Sequence, residues 1–132
     1  MKRRLICTVL VLVMVLSVCS SSLASSMSIM QASGDCAINN NGRNVTYGGN
    51  ASSGQIEDTI SVTLKLMELR SGTWYQVDSV YKSLTKALYV QTSKNFTVTG
   101  GYYYKVIGTY YSKTGSQAYT TESETASVWI AR

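Results

Sequence analysis

The run Thr59-Ile60-Ser61-Val62-Thr63-Leu64-Lys65-Leu66-Met67-Glu68-Leu69 places Ile60, Val62, Leu64 and Leu66 at every second position. Ser61, Thr63 and Lys65 fill the positions between them. Period two describes a β-strand with one buried face and one wet face. Met67 and Leu69 carry the apolar positions onto the other phase, so a one-residue slip predicts a bulge near Leu66-Met67.

On the C-terminal side, Ser71-Gly72-Thr73 reads as a hairpin turn and Trp74 to Tyr81 as its return strand, rich in β-formers. Lys82 to Lys86 is polar and fits no element. Ala87 to Val90 and Phe96 to Val98 read as short strands around Thr92-Ser93-Lys94-Asn95. Gly100-Gly101 breaks the chain. Tyr102 to Tyr111 reads as a long strand, Ser112 to Ser116 as a turn, and Gln117 to Ile130 as the strand that returns. On the N-terminal side, Asn39 to Gly42 reads as a turn and Tyr47 to Gly54 as a loop, because Asn and Gly tolerate positive φ. Val45 and Tyr47 fit a short strand between them.

No long stretch keeps a helical period. The expectation is therefore an all-β domain, a small immunoglobulin-like antiparallel β-sandwich of about seven strands. Tyr102, after a tight turn and before the core positions Tyr104 and Val106, has the placement of a tyrosine corner. Long edge strands can pair between chains, with Lys65, Lys105 and Lys113 as guards.

The N-terminus carries an address. Lys2, Arg3 and Arg4 precede an apolar run from Leu5 to Val18, shorter than the ~20 residues of a membrane span. A small-residue stretch follows, with Ser22-Leu23-Ala24 fitting a signal-peptidase site between Ala24 and Ser25. This divides the chain into a signal peptide at 1–24, a flexible leader at 25–33 and a β-domain at 34–132. The expected destination is extracellular. Leu16-Ser17-Val18-Cys19 offers an alternative, lipid attachment at Cys19. The mature chain contains no apolar run long enough to cross a bilayer.

The formal charge of +5 falls by three with Lys2, Arg3 and Arg4, which leaves no electrostatic footprint for nucleic acid. The chain has no His, which excludes Ser-His-Asp and Cys-His catalysis and imidazole metal sites. Of three Cys only Cys36 lies beyond the signal, so it has no internal disulfide partner and reads as a small, partly buried residue.

The segments Gly72-Thr73-Trp74-Tyr75-Gln76-Val77, Val98-Thr99-Gly100-Gly101-Tyr102-Tyr103-Tyr104-Lys105-Val106-Ile107-Gly108, Gly115 and Glu122-Ser123-Glu124-Thr125 form a pattern. It resembles a family of small secreted proteins of Gram-positive bacteria that carry a domain of unknown function. The match runs from Gly72 to the C-terminus. The resemblance implies secretion and a β-domain, and it implies no activity.

Few side chains invite chemistry. Glu122 and Glu124 share a strand face, as a glycosidase pair would, but a small sandwich offers little cleft and a solvated face explains them equally. Glu57-Asp58 beside a Gly-Ser loop offers oxygens to Ca²⁺ without the spacing of a calcium loop. Asn44-Val45-Thr46, Asn50-Ala51-Ser52 and Asn95-Phe96-Thr97 match the glycosylation sequon, and in a bacterial host they are plain loop residues. No catalytic residue, metal ligand or cofactor site is expected.

The aromatic content carries the functional expectation. Period two puts Tyr102, Tyr104, Val106, Gly108 and Tyr110 on one face and Tyr103, Lys105, Ile107, Thr109 and Tyr111 on the other. Lys105 and Thr109 turn the second face outward, where Tyr103, Ile107 and Tyr111 make a semi-apolar stripe. Trp74, Tyr75, Tyr119 and Trp129 extend it. Ordinary cross-strand packing explains the same residues. The expected function is a non-catalytic binding module for an envelope glycan or protein, with Tyr103, Lys105, Ile107, Tyr111, Trp74 and Trp129 as binding residues. A secreted antagonist, such as a bacteriocin-like protein or an inhibitor, is the alternative, and a carboxylate-based hydrolase ranks last.

Overall fold

A computed structural model describes residues 32–132. The expected signal peptide, its expected Ala24/Ser25 junction, Cys19 and nearly all of the expected leader lie outside the described residues. Six antiparallel strands follow in order: β1 (Ser33–Asn41), β2 (Asn44–Arg70), β3 (Thr73–Thr97), β4 (Tyr102–Thr114), β5 (Gln117–Glu124) and β6 (Val128–Ile130). They form one sheet with the path β1-β2-β4-β5, in which β3 also pairs with β2 and β6 with β4.

The sheet curls because β2 and β3 run together through both of its halves. In the first half, Asn44–Ser52 of β2 lies between β1 and Tyr89–Thr97 of β3. In the second half, β2 lies between the first part of β3 and β4. The halves meet at an irregularity between Ser52 and Glu57. There Lys86 adopts φ 51°, and its ammonium pairs with Asp58. The inner faces of both halves build one core, with Val45, Tyr47, Ala51 and Val90 from the first and Ile60, Val62, Leu64, Leu66, Tyr104, Val106 and Tyr110 from the second. Each fully buried Val, Leu or Ile among them contributes roughly 1.5–3 kcal/mol.

The inward phase of Ile60, Val62, Leu64 and Leu66 and of Tyr104, Val106, Gly108 and Tyr110 is as expected, whereas Ser61, expected on the wet face, is buried. Several other expectations need correction. Tyr47 to Gly54 is strand, not loop. A Cβ on Gly49 would lie 2.7 Å from the Asp35 carbonyl and 2.9 Å from Leu64 Cδ2, so this glycine marks a close approach inside the sheet. Thr92 to Asn95 and Lys82 to Lys86 are also strand, because β2 supplies a pairing partner along their length. The anticipated short strands merge into two long ones, giving six strands in place of about seven. The return from Gln117 is broken at Thr125, whose N–H donates to the Val106 carbonyl (3.0 Å) while its hydroxyl accepts from the Val106 N–H (3.0 Å).

The register does shift at Leu66/Met67, but β2 keeps its phase there. Leu66 faces Asp78 and Met67 faces Gln76, so the extra residue is Val77 of β3. The next inward position is therefore Glu68, which is 2% exposed. Its carboxylate pairs with Arg70, and the Tyr104 hydroxyl lies 2.6 Å from its Oε2. The same hydroxyl lies 2.5 Å from the Thr99 carbonyl, five residues upstream. The corner-like contact thus belongs to Tyr104, not Tyr102, which sits half-buried beneath Arg70. Nor do Lys65, Lys105 and Lys113 guard edges, since β2 and β4 are inner strands. The lysines along the outer edge of β3 are Lys82, Lys86 and Lys94.

Candidate binding face

The outward side of the second half is set by strand alternation and register. Tyr103, Lys105, Ile107, Thr109 and Tyr111 point away from the core on β4, alternating with its buried positions. Trp129 of β6 lies opposite Tyr103, Glu124 of β5 opposite Ile107, and Met67 of β2 opposite Lys105. Trp74 of β3 lies opposite Leu69 of β2. Residues distant in sequence therefore converge on one end of one face.

The rings of Tyr103 and Trp129 are 5.0 Å apart and tilted by 57°, a favourable aromatic arrangement. They remain 44% and 53% exposed. Lys105 lies two residues along β4 from Tyr103, on the same face. Its ammonium sits 4.6 Å from the Trp74 ring centre and 2.9 Å from Glu124 Oε2. A cation held over an indole contributes ~0.5–1 kcal/mol when exposed and ~2 kcal/mol when desolvated, and the Lys105 side chain is only 16% exposed. Lys105 thus braces Trp74, and its charge is answered by Glu124.

Four of the six expected binding residues, Trp74, Tyr103, Lys105 and Trp129, gather at this end. Ile107 and Tyr111 share the face but lie further along it, half-buried opposite Lys65 and Ser61. Tyr75 lies opposite Glu68 and Tyr119 opposite Ser112, both core-side positions, so neither extends the stripe. Sequence alternation missed Glu124 as the partner of Lys105, because that pairing depends on the register of β5 against β4.

The remaining candidates are held by the protein itself. Glu122 accepts from the Thr109 hydroxyl at 3.3 Å. Buried Glu57 accepts from Ser53 (2.5 Å), from Gln55 (3.5 Å) and from Thr114. Asp58 accepts from the Gly115 N–H (2.7 Å) and from Lys86, which together hold its carboxyl below the usual range and pin the β4–β5 turn to β2. Cys36 is half-buried, its Sγ 3.5 Å from Ser123 Oγ, where β1 packs across the core against β4 and β5. Tyr110 donates to or accepts from the same Ser123 hydroxyl at 2.7 Å, and burial pushes its phenol up to about 12. Among the described residues, no three Asp, Glu, Cys or His side chains gather as a metal site, and no helix is long and apolar enough to cross a membrane.

No protein-family model matches the chain, and no curated protein sequence matches it. Among solved structures, the sporulation control protein Spo0M from Bacillus subtilis is similar over 76% of this chain, with 12% identity and a TM-score of 0.43. The chain spans about half the length of Spo0M (49%). CsgH of R. palustris is similar over 70% of this chain and 90% of its own, with 11% identity and a TM-score of 0.42.

Proposed function

We propose that this chain is an exported, non-catalytic binding module whose Trp74–Tyr103–Trp129 face stacks against sugar rings of a cell-envelope glycan. The observation that carries this reading is the pair Tyr103 and Trp129, each about half exposed yet held at a fixed tilt on a hydrogen-bonded sheet. A sugar ring presents an apolar C–H face that lies flat on such rings, while its hydroxyls reach polar groups at the rim. Lys105 and Glu124 supply that rim. A rigid aromatic surface also loses little conformational entropy on binding.

Export is supported by Lys2-Arg3-Arg4 followed by the apolar Leu5–Val18 run. Membership of the immunoglobulin-like sandwiches is supported by the curled sheet and by the bond from Tyr104 to Thr99. The Gly72-to-terminus pattern supports a Gram-positive source.

The test is co-sedimentation of the protein with purified cell-wall polysaccharide and with intact envelope. Tyr103→Ala/Trp129→Ala is expected to reduce the bound fraction at least tenfold with thermal stability retained. Lys105→Met, which removes the brace but not the rings, is expected to reduce it severalfold. Unchanged sedimentation of the double variant would refute the proposal. Binding to a protein component in place of the polysaccharide would keep the face and replace the ligand.

A further inference from the structure

The outward side of the first half is built from different chemistry. Register places five rows across β1, β2 and β3: Asn41–Asn44–Thr97, Asn39–Thr46–Asn95, Ala37–Gly48–Ser93, Asp35–Asn50–Gln91 and Ser33–Ser52–Tyr89. Buried Val45, Tyr47 and Ala51 alternate with the β2 members of these rows, so the rows face away from the core. The chain has six asparagines, and five of them lie in these rows, with Asn40 at their edge. Asparagine is depleted in strands, and a solvated strand face has no need of it. Of the fifteen row positions only Asp35 is charged.

The small residues Ala37, Gly48 and Ser93 leave a furrow between rows of larger polar side chains. A Cβ on Gly48 would approach Ser93 Cβ to 3.1 Å, so the floor is already closely packed. Two shallow cavities of about 340 Å³ each open on this face. One lies over Asn39, Asn44 and Asn95, and the other over Asp35, Asn50 and Gln91. Their size is within the ~300–1,000 Å³ of small-ligand sites.

The amides are oriented. Thr46 Oγ1 donates to Asn95 Oδ1 at 2.7 Å, and Thr97 Oγ1 donates to Asn44 Oδ1 at 2.9 Å. The Asn40 N–H donates to Asn39 Oδ1 at 2.8 Å, and the Tyr89 hydroxyl donates to Gln91 Oε1 at 2.9 Å. Of the six side-chain amides in the rows, these four have their oxygen engaged from within the protein. The amino groups of these four side chains make no hydrogen bond among the described residues. The face therefore offers fixed, neutral N–H donors.

We infer that this furrow is a second binding site, separate from the aromatic face, for a neutral saccharide chain held through its hydroxyl and ring oxygens. The chemistry selects that class. Uncharged donors in a plane match a ligand dense in uncharged acceptors. An anionic polymer finds no cation in the rows and meets the Asp35 carboxylate. The furrow crosses the middle of three paired strands, so an added peptide strand has no free backbone edge there to pair with.

The test is an NMR titration of the ¹⁵N-labelled protein with cellotetraose, maltotetraose and chitotetraose, following side-chain amide and indole signals together. At least one sugar is expected to shift the amino signals of Asn44, Asn95 and Gln91 saturably. Asn44→Asp/Asn95→Asp keeps the bonds from Thr97 and Thr46 but replaces donors with acceptors, and it is expected to weaken binding at least fivefold. Thr46→Val/Thr97→Val, which frees the amides to rotate, is expected to weaken it about threefold without changing the fold. Trp129→Ala is expected to leave these shifts intact. Shifts confined to the Trp74 and Trp129 indoles would overturn the second site while supporting the aromatic one. An absence of amide shifts at 20 mM of every sugar, or full binding by the Asp variant, would also overturn it.

Discussion

Removing the Tyr104 hydroxyl tests how the core accommodates a charge. Tyr104 and Glu68 are both essentially buried, at 0% and 2% exposure. The single phenol proton is shared between the Glu68 carboxylate and the Thr99 carbonyl. Burial and the Glu68 charge push the phenol well above its ordinary range, so it stays a donor. A hydrogen bond to a charged group contributes ~1.5–3 kcal/mol. Tyr104→Phe leaves the ring packing in place, so a loss of about 2 kcal/mol is expected. For a domain near this size, that lowers Tm by roughly 8–16 °C. Tyr47→Phe is the comparison. Its hydroxyl donates to Asp78 Oδ2 at 2.8 Å, but Asp78 keeps Lys94 at 2.7 Å. About half the loss is expected there, since the carboxylate retains a charged partner. Differential scanning calorimetry of both variants, with a Tyr104→Phe/Glu68→Gln cycle, measures the terms. Coupling of about 1 kcal/mol between positions 104 and 68 is expected. A Tm drop under 2 °C for Tyr104→Phe, or zero coupling, would show that the pair is not a structural unit.

Gly34→Ala is expected to destabilise by ~2–3 kcal/mol in urea melts, because its Cβ would lie 2.2 Å from Tyr110 Cδ1 and 2.5 Å from the Asn50 carbonyl. A neutral outcome would mean that β1 shifts freely over Tyr110. In the pH dependence, burial raises the Asp78 carboxyl, but its bonds from Lys94 and Tyr47 outweigh that and hold it below its usual value. A depressed carboxyl contributes stability above its unfolded pKa, near ~3.9, which is lost as pH falls through the folded value. Asp78→Asn should therefore lose less stability than the parent between pH 5 and pH 2. At the other extreme, Tyr47, Tyr104 and Tyr110 are all raised, so their contribution is complete below pH ~10 and disappears as pH rises beyond it. Phenolate absorbance and unfolding should rise together there, and three late phenols ionising without unfolding would contradict this.

What the sequence made legible followed from packing. Ile60, Val62, Leu64 and Leu66 alternate because one side of β2 faces the core, and Tyr102 to Tyr111 sort correctly for the same reason. Glu68 was hidden because alternation recognises buried positions by apolar residues, and this position satisfies its charge with Arg70 and Tyr104 instead. Gly48 and Gly49 looked like a loop because glycine marks both turns and close approaches, and only the neighbouring strands distinguish the two. Val77 could not be found from β2 alone, since a bulge is a property of the pair.

The outer faces obey a looser rule, and composition there carries the functional information. Core packing leaves outward positions free, so a solvated face needs only polar, strand-compatible side chains. The second half departs from that minimum with exposed Tyr103 and Trp129 beside half-buried Trp74, and exposed rings on a wet face add little to stability. The first half departs with five asparagines on strands that disfavour them. Because β2 and β3 run through both halves, the curl that closes one core leaves each half with its own outward face. The aromatic face was readable as a period-two stripe on one strand. The amide face was not, because its rows exist only once β1, β2 and β3 are in register. Asn39 and Thr46 of one hairpin and the distant Asn95 then become one row, and the sequon threonines become the groups that orient asparagines of a neighbouring strand.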